Sequence, residues 1–303
     1  MKNLKTIVVG IDFSDSSARA LAEAARIANW NAADLVCLHV FDQKVMDDLG
    51  HYRGFNRDAV LDAAMHRVET FVASSIGTGH GLRPRIAVGH PFKELVRVVE
   101  EVRAELLVMG ARGHQQNDPT KTGTIATRCV RMAPVDVLLV RREQEEPFRR
   151  IVACIDFSEN SIEAAREAVA IAVQDKSSLD FISIYESSIL AAADIGGLGP
   201  ALPPMDSTDV VRALEKNLEE LAETFTKEAP DLNIACRVLE RAGATRGLVD
   251  YLNEVGADLA VLGTRGRTGL KSLLLGTTAE RLMHESPCSA LVVKPEGFHY
   301  NIH

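Results

Sequence analysis

Gly110-Ala-Arg-Gly113, nine further residues, then Gly123-Thr124 is one stretch of this chain; Gly263-Thr-Arg-Gly266, nine further residues, then Gly276-Thr277 is another. Each follows an apolar run, Leu106 to Met109 or Leu259 to Leu262. Each precedes a helix-like stretch with Arg128 or Arg281 at the matching place. A glycine turn leaving a strand, with a second glycine opening a helix, exposes main-chain N–H groups to a phosphate. The pattern therefore points to alternating strands and helices and to a bound anion, with a nucleotide as the first candidate, and it does so twice.

The rest of the chain repeats with it. Ile7 to Ser14 reads IVVGIDFS and Ile151 to Ser158 reads IVACIDFS, with six of the eight positions identical. Ala133-Pro134 before Val135–Val140 matches Ser286-Pro287 before Cys288–Val293. The offset grows between the first segment and the glycine pattern, so the second copy carries extra residues in between. A length of 303 residues suits two domains of ordinary size. The repeat predicts domains over 1–146 and 147–303, with Arg141 to Pro147 as a short polar linker.

Composition narrows the class. Apolar residues make up 46% and charged residues 25%, which is the balance of a globular domain rather than a disordered or fibrous chain. No apolar run approaches the roughly 18 residues of a membrane span. Met1 to Thr6 leads straight into a strand without a signal peptide's apolar region, and the five cysteines stand singly, mostly in apolar runs. Both features predict a cytoplasmic protein with thiols as small core residues, and no cysteine spacing suggests zinc. The net charge of −8 falls wholly in residues 147–303, much of it between Asp206 and Asp231. An acidic surface of this kind argues against nucleic acid or anionic lipid as a partner.

Each half reads β-α-β-α-β-α-β-α-β. Strands are predicted near Thr6–Ile11, Asp34–Val40, Arg83–Val88, Leu106–Met109 and Val135–Val140. In the second half they fall near Ile151–Ile155, Leu179–Ile184, Ile234–Leu239, Leu259–Leu262 and Ala290–Val293. These are runs of Val, Ile and Leu without strict alternation, as in strands covered on both faces. A helix opens at the Ser14-Asp15-Ser16 cap cluster and runs to Trp30; another covers Arg57 to Ser75. The fold class is α/β: two tandem Rossmann-like domains, each a five-stranded parallel sheet with helices on both faces. Ligands of such sheets bind beyond the carboxyl ends of the strands, where strand order reverses, and both glycine turns and both Ile-Asp-Phe-Ser segments fall on that edge.

With these residues in view, the chain resembles a tandem universal stress protein, with two copies of that domain. The resemblance rests on the two Ile-Asp-Phe-Ser openings, the doubled glycine pattern and the turn before the last strand. It spans nearly everything except the loops after the second strands and the tail after Val293. It implies a fold of the kind already predicted, and ATP as ligand, since many members bind ATP while others have lost it. The second copy, GTRGRTGLKSLLLGTTAER, is very close to the family's ATP-binding form. Members also dimerise through the last strand, so self-association through last-strand edges, within one chain or between chains, is implied, as is an unknown protein partner.

Residue by residue, Gly263 and Gly266 would let main chain approach phosphate, and Gly276, Thr277 and Thr278 would offer N–H and hydroxyl donors at a helix start. Arg265 and Arg267 can supply positive charge. The resemblance places Asp156 near the nucleotide and its metal, Mg or Mn, and Ile155 and Ile184 beside the adenine. The first half has the matching Ile11, Asp12, Val40, Gly110, Gly113, Gly123 and Thr124. Its flap, His114 to Thr122, lacks the second flap's leucines Leu270 and Leu273–Leu275. That flap is either mobile, or uses Lys121 and His114 on phosphate, or marks a decayed site, and the expectation for ATP is stronger in the second half. No residue is assigned to catalysis or to a protein-held metal site. No base, arginine clamp or in-line nucleophile stands out, so at most a weak Mg- or Mn-dependent ATPase is expected. A nucleotide-dependent regulator of the stress response, a slow ATPase and a scaffold without nucleotide stay open as functions. Gly269-Leu-Lys271-Ser272 lacks the glycine a P-loop needs before its lysine. Ser187 to Met205, apolar and rich in Gly and Pro, is the longest irregular segment and reads as a lid, a contact to the other half or a small apolar-ligand surface, or else as an insertion without a role.

Overall fold

A computed structural model of the chain describes residues 4–77, 79, 81–113, 122–141, 146–186, 208–241, 244–264 and 276–298. The chain divides into two compact units that change over between residues 145 and 146. The flaps 114–121 and 265–275 and the segment 187–207, with the expectations placed on them, lie outside the described residues.

The first unit runs β1 (Thr6–Ile11), α1 (Asp15–Asn31), β2 (Asp34–Asp42), α2 (Gln43–Gly50), α3 (Arg57–Ile76), β3 (Leu82–Gly89), α4 (Pro91–Glu101), β4 (Leu106–Gly110), α5 (Thr124–Met132) and β5 (Asp136–Val140). Its strands lie in the order β3-β2-β1-β4-β5, all parallel. The chain starts in the middle, winds outward to β3, then crosses back to β4, so the order reverses between β1 and β4. The second unit runs β6 (Arg150–Cys154), α6 (Glu159–Asp175), β7 (Ser178–Glu186), α7 (Thr208–Thr226), β8 (Ile234–Arg241), α8 (Ala244–Val255), β9 (Leu259–Gly263), α9 (Thr277–Glu285) and β10 (Ser289–Val293). Its parallel order, β8-β7-β6-β9-β10, is the same topology. The α/β class and the tandem arrangement are as the sequence predicts.

The central strands owe their place to their side chains. Ile7, Val8 and Val9 of β1 and Leu107 and Val108 of β4 are fully buried, as are Ile151, Val152 and Ala153 of β6. Fully burying one Val, Leu or Ile stabilises by about 1.5–3 kcal/mol, so strands apolar on both faces belong between helix layers. The edge strand β3 is different. Pro84 cannot donate to a ladder and sits there, where Arg83 pairs with Asp34 (2.6 Å) and Arg85 with Glu101 (2.8 Å).

Helix ends are set by local chemistry. Ser14 Oγ accepts from the Ser17 N–H (3.1 Å) and caps α1; Ser158 Oγ accepts from Ser161 N–H (3.2 Å) and caps α6. Asp42 caps α2 by accepting from Lys44 N–H (2.8 Å), and Asn56 caps α3 by accepting from Ala59 N–H (3.1 Å). Pro91 opens α4, where the missing N–H costs nothing. In the second unit a carboxylate is buried toward the amino end of the sheet. Asp180, 2% exposed, accepts from Tyr251 Oη (2.8 Å) and Arg150 Nη2 (3.1 Å). The phenol of Tyr251 is pushed up to about 12 by burial and by the Asp180 carboxylate. Among the described residues no helix is long and apolar enough to cross a membrane.

Candidate functional site

In each unit the first strand ends in an Asp-Phe-Ser turn that is built identically. Phe13 and Phe157 take left-handed backbone, with φ of 64° and 63°. A bulky residue pays about 1–3 kcal/mol to hold such a conformation. Asp12 Oδ1 accepts from the Ser14 N–H (3.0 Å) and Oγ (2.5 Å), and Asp156 Oδ1 does the same with Ser158 (3.0 and 2.6 Å). These hydrogen bonds close the turn and aim the carboxylate at the reversal of strand order. In the first unit the Phe13 ring also lies 4.5 Å from His39 and 5.5 Å from Phe71, with the Arg67 guanidinium 4.1 Å from its centre. His39 Nδ1 donates to the Ile11 carbonyl (2.8 Å). Burial pulls the His39 pKa down, with Arg67 in the same direction and the Ile11 carbonyl and Asp12 opposing.

Beyond the carboxyl ends of β1, β2 and β4 lies a cavity of about 500 Å³, a size that suits a small-molecule ligand. All seven residues singled out in the first half, Ile11, Asp12, Val40, Gly110, Gly113, Gly123 and Thr124, line it. One end is apolar, with Leu38, Val40, Leu95 and Met109. The other meets the amino end of α5, where Thr124, Ile125 and Ala126 line the wall. Gly123 at this helix start has no side-chain cap, and the amides of the first turn have no acceptor inside the helix. Ser17 of α1 and Pro91 of α4 also face the cavity, so three helices present their amino-terminal turns to one space. Each helix dipole favours an anion there by about 0.3–1 kcal/mol.

The glycines do not all serve that space. A Cβ on Gly110 would stand 2.6 Å from Ser16 Oγ and 2.7 Å from the Ser16 carbonyl carbon, and one on Gly263 would stand 2.6 Å from Asn160 Oδ1. Both glycines let the strand end press against the first turn of the neighbouring helix, a close approach that the sequence did not foresee. A Cβ on Gly113 would meet Asp12 Oδ2 at 3.1 Å. The N–H of Gly123 donates to the Ala111 carbonyl (2.8 Å) and that of Gly276 to the Thr264 carbonyl (2.8 Å). The Gly276 amide is therefore spent inside the protein, and the donors left at each helix start are those of the following residues.

In the second unit Ile155 is buried, its N–H donating to the Ile182 carbonyl (2.7 Å). Asp156 closes its turn as above, Ile184 lies in β7, and Gly276, Thr277 and Thr278 form the start of α9. Arg265, Gly266 and Arg267 lie outside the described residues. Asn160, 5% exposed, donates to the Val293 carbonyl (3.2 Å) and ties β10 to α6. Sequence reasoning missed the other wall residues of the first cavity, among them Gly10, Ser17, Met109 and Arg112. Arg112 was legible, because it stands where the second copy has Arg265. Among the described residues no group of three or more His, Cys, Asp or Glu could hold a metal. The thiols of Cys37, Cys129 and Cys288 are buried.

The model of the universal stress protein family matches twice, over residues 3–141 and 147–294. A universal stress protein of Mycolicibacterium smegmatis is 24% identical over 294 residues, covering 95% of this chain and 97% of that one. Another, from Methanocaldococcus jannaschii, is 31% identical over 153 residues, covering 50% of this chain and 86% of its own length. The crystal structure of a universal stress protein from Archaeoglobus fulgidus DSM 4304 superposes with a TM-score of 0.63 at 16% identity, covering 95% of this chain and 98% of that one. The chain belongs to the universal stress protein family, as a tandem member with one family domain in each half.

Proposed function

We propose that this chain binds ATP and acts as a nucleotide-dependent regulator in a stress response. The observation that carries the reading is the cavity at the reversal of strand order, apolar at one end and faced by three helix amino ends. The apolar end suits a purine ring. The free amides of α5 suit phosphate, and Asp12 suits ribose hydroxyls. One carboxylate, with an oxygen already engaged by Ser14, suits a divalent ion arriving with the phosphates as Mg- or Mn-ATP; it does not suit a metal held by the protein alone. The second half has the same turn and the same helix start, and its motif, with leucines in the stretch between the glycines, is very close to the ATP-binding form. Occupancy would change the flap between the glycines, and an unknown protein partner would read that change. Self-association through last-strand edges and a cytoplasmic location belong to the same reading, and sedimentation of the purified chain with and without ATP tests the former.

Calorimetry with ATP on the full chain tests the binding. Binding in the micromolar to millimolar range is expected, weakened at least tenfold at one site by Gly123→Val and at the other by Gly266→Val or Gly276→Val, with melting temperatures retained. A folded chain that ignores ATP, ADP and AMP at millimolar concentration leaves the scaffold reading in its place. Hydrolysis is not required by this proposal; turnover that depends on Mg²⁺ or Mn²⁺ and falls with Asp156→Ala would add it.

A further inference from the structure

Within the repeated first-strand segment the two halves differ at two adjacent positions, Val9 against Ala153 and Gly10 against Cys154, and the second of these bears on the cavity. In IVVGIDFS and IVACIDFS, Gly10 of the first copy is replaced by Cys154 in the second. The register is the same: Gly10 lies opposite Leu38 on the neighbouring strand and Cys154 opposite Ile182, while Val9 and Ala153 lie opposite Val108 and Val261. Gly10 lines the first cavity. A Cβ placed there would stand 3.4 Å from Leu95 Cδ2 and 3.7 Å from Met109 Cε, two other wall residues. Any side chain at this position therefore enters the apolar end of the cavity. The repeat counterparts of Leu95 and Met109 are Leu248 and Leu262, which are 0% and 3% exposed. Burial raises the Cys154 thiol pKa, with Cys288 and Asp156 adding to the rise, while the residue keeps partial exposure. That combination is the one expected of a wall residue whose side chain is nearly dry.

We propose that position 10, with its counterpart 154, is the specificity-determining position of the pair: Gly10 leaves room for a purine base in the first half, and the Cys154 side chain takes that room in the second. The first half is then the tighter site for a purine nucleotide, the reverse of the preference read from the leucine-rich second flap. This inference rests on the nucleotide reading above.

Calorimetry on the full chain with adenosine, AMP and ATP tests it. The wild-type chain is expected to show two unequal sites. Gly10→Cys lowers the affinity of the tighter one by about tenfold to a hundredfold, the scale at which a pocket discriminates a single group. The loss is the same for all three ligands, because the change touches the base and not the phosphates. Gly10→Ala gives a smaller loss in the same direction, and Cys154→Gly strengthens the weaker site. Thermal melting of each variant separates a lost site from a lost fold, and Cys154→Gly enlarges rather than fills, so it reads the idea even where Gly10→Cys does not fold. Three results overturn the inference while leaving the nucleotide reading intact: Gly10→Cys with unchanged affinities, Gly10→Cys that weakens ATP but spares adenosine, or Cys154→Gly with no gain. A wild-type chain that binds none of the three ligands removes the nucleotide reading itself.

Discussion

Replacing Gly110 by alanine puts a methyl group where the first turn of α1 already stands. The new carbon would lie 2.6 Å from Ser16 Oγ, 2.7 Å from the Ser16 carbonyl carbon and 2.8 Å from its oxygen. A side-chain oxygen can rotate away; the main chain of a capped helix cannot, because Ser14 and Asp12 fix that turn. The helix must shift against β4. Overpacking of this sort costs about 1–3 kcal/mol. Gly110 does not need left-handed backbone, so alanine recovers about 0.4–1 kcal/mol by stiffening the unfolded chain. The net loss is about 1–2 kcal/mol, or roughly 2–8 °C in melting temperature for a domain of this size. The other pattern glycines provide an internal scale. At Gly263 the nearest atoms belong to the Asn160 side chain (2.6 and 2.8 Å), with main chain only at 3.1 Å. Alanine there displaces the amide and its bond to Val293, a loss of about 1 kcal/mol. At Gly113 the contact is a carboxylate oxygen at 3.1 Å, and at Gly123 it is an ordinary 3.5 Å. Thermal unfolding of the four alanine variants in the full chain should rank Gly110 as most destabilised, then Gly263, Gly113 and Gly123, the last close to wild type. If Gly123→Ala loses more stability than Gly110→Ala, the close-approach account of Gly110 is wrong.

Removing a cap with Ser14→Ala or Ser158→Ala is expected to cost about 1 kcal/mol each, because the first-turn amide and the Asp partner both lose an acceptor or donor; urea midpoints at constant slope measure it. His39 has its pKa lowered in the fold, so its contribution to stability is present above its ordinary value of 6.5 and is lost as pH falls through the lower folded value; His39→Gln should flatten that acid-side decline in urea titrations. Tyr251 titrates the other way. Its folded value of about 12 exceeds the ordinary 10, so its contribution is full below pH 10 and disappears between there and about 12, and Tyr251→Phe should abolish that alkaline step while costing about 1–3 kcal/mol at neutral pH.

Most of the architecture was legible because buried parallel strands announce themselves as unbroken Val, Ile and Leu. Each observed strand lies within two residues of its expected bounds. The shortfalls have one cause. β2, β7 and β8 continue past their last aliphatic residue because a neighbour continues beside them: Asp42 stays opposite Gly89, and Glu186 opposite Arg241. A ladder is a property of two strands, and neither sequence alone shows it. Helix α2 was not anticipated because its eight residues bury only Met46 and depend on Asp42 as a cap. Six of the seven first-half candidates that line the cavity sit in two short repeated patterns, and the seventh, Val40, came from the family resemblance. Gly10 was passed over because it is one of two positions where the first of those patterns disagrees. The close approach at Gly110 was not legible for a deeper reason: the atom that forbids a side chain there belongs to Ser16, far away in the chain.

That distant neighbour changes what the glycine signature can be taken to record. Selection on folding alone is enough to keep Gly110 and Gly263 in place, since their neighbours are parts of the same polypeptide. Gly113 and Gly123 have looser surroundings and are freer to drift once no ligand depends on them. Across descendants of one ancestral domain, the first glycine should therefore persist in lineages that have abandoned their small molecule, and the later pair should be where that history is written.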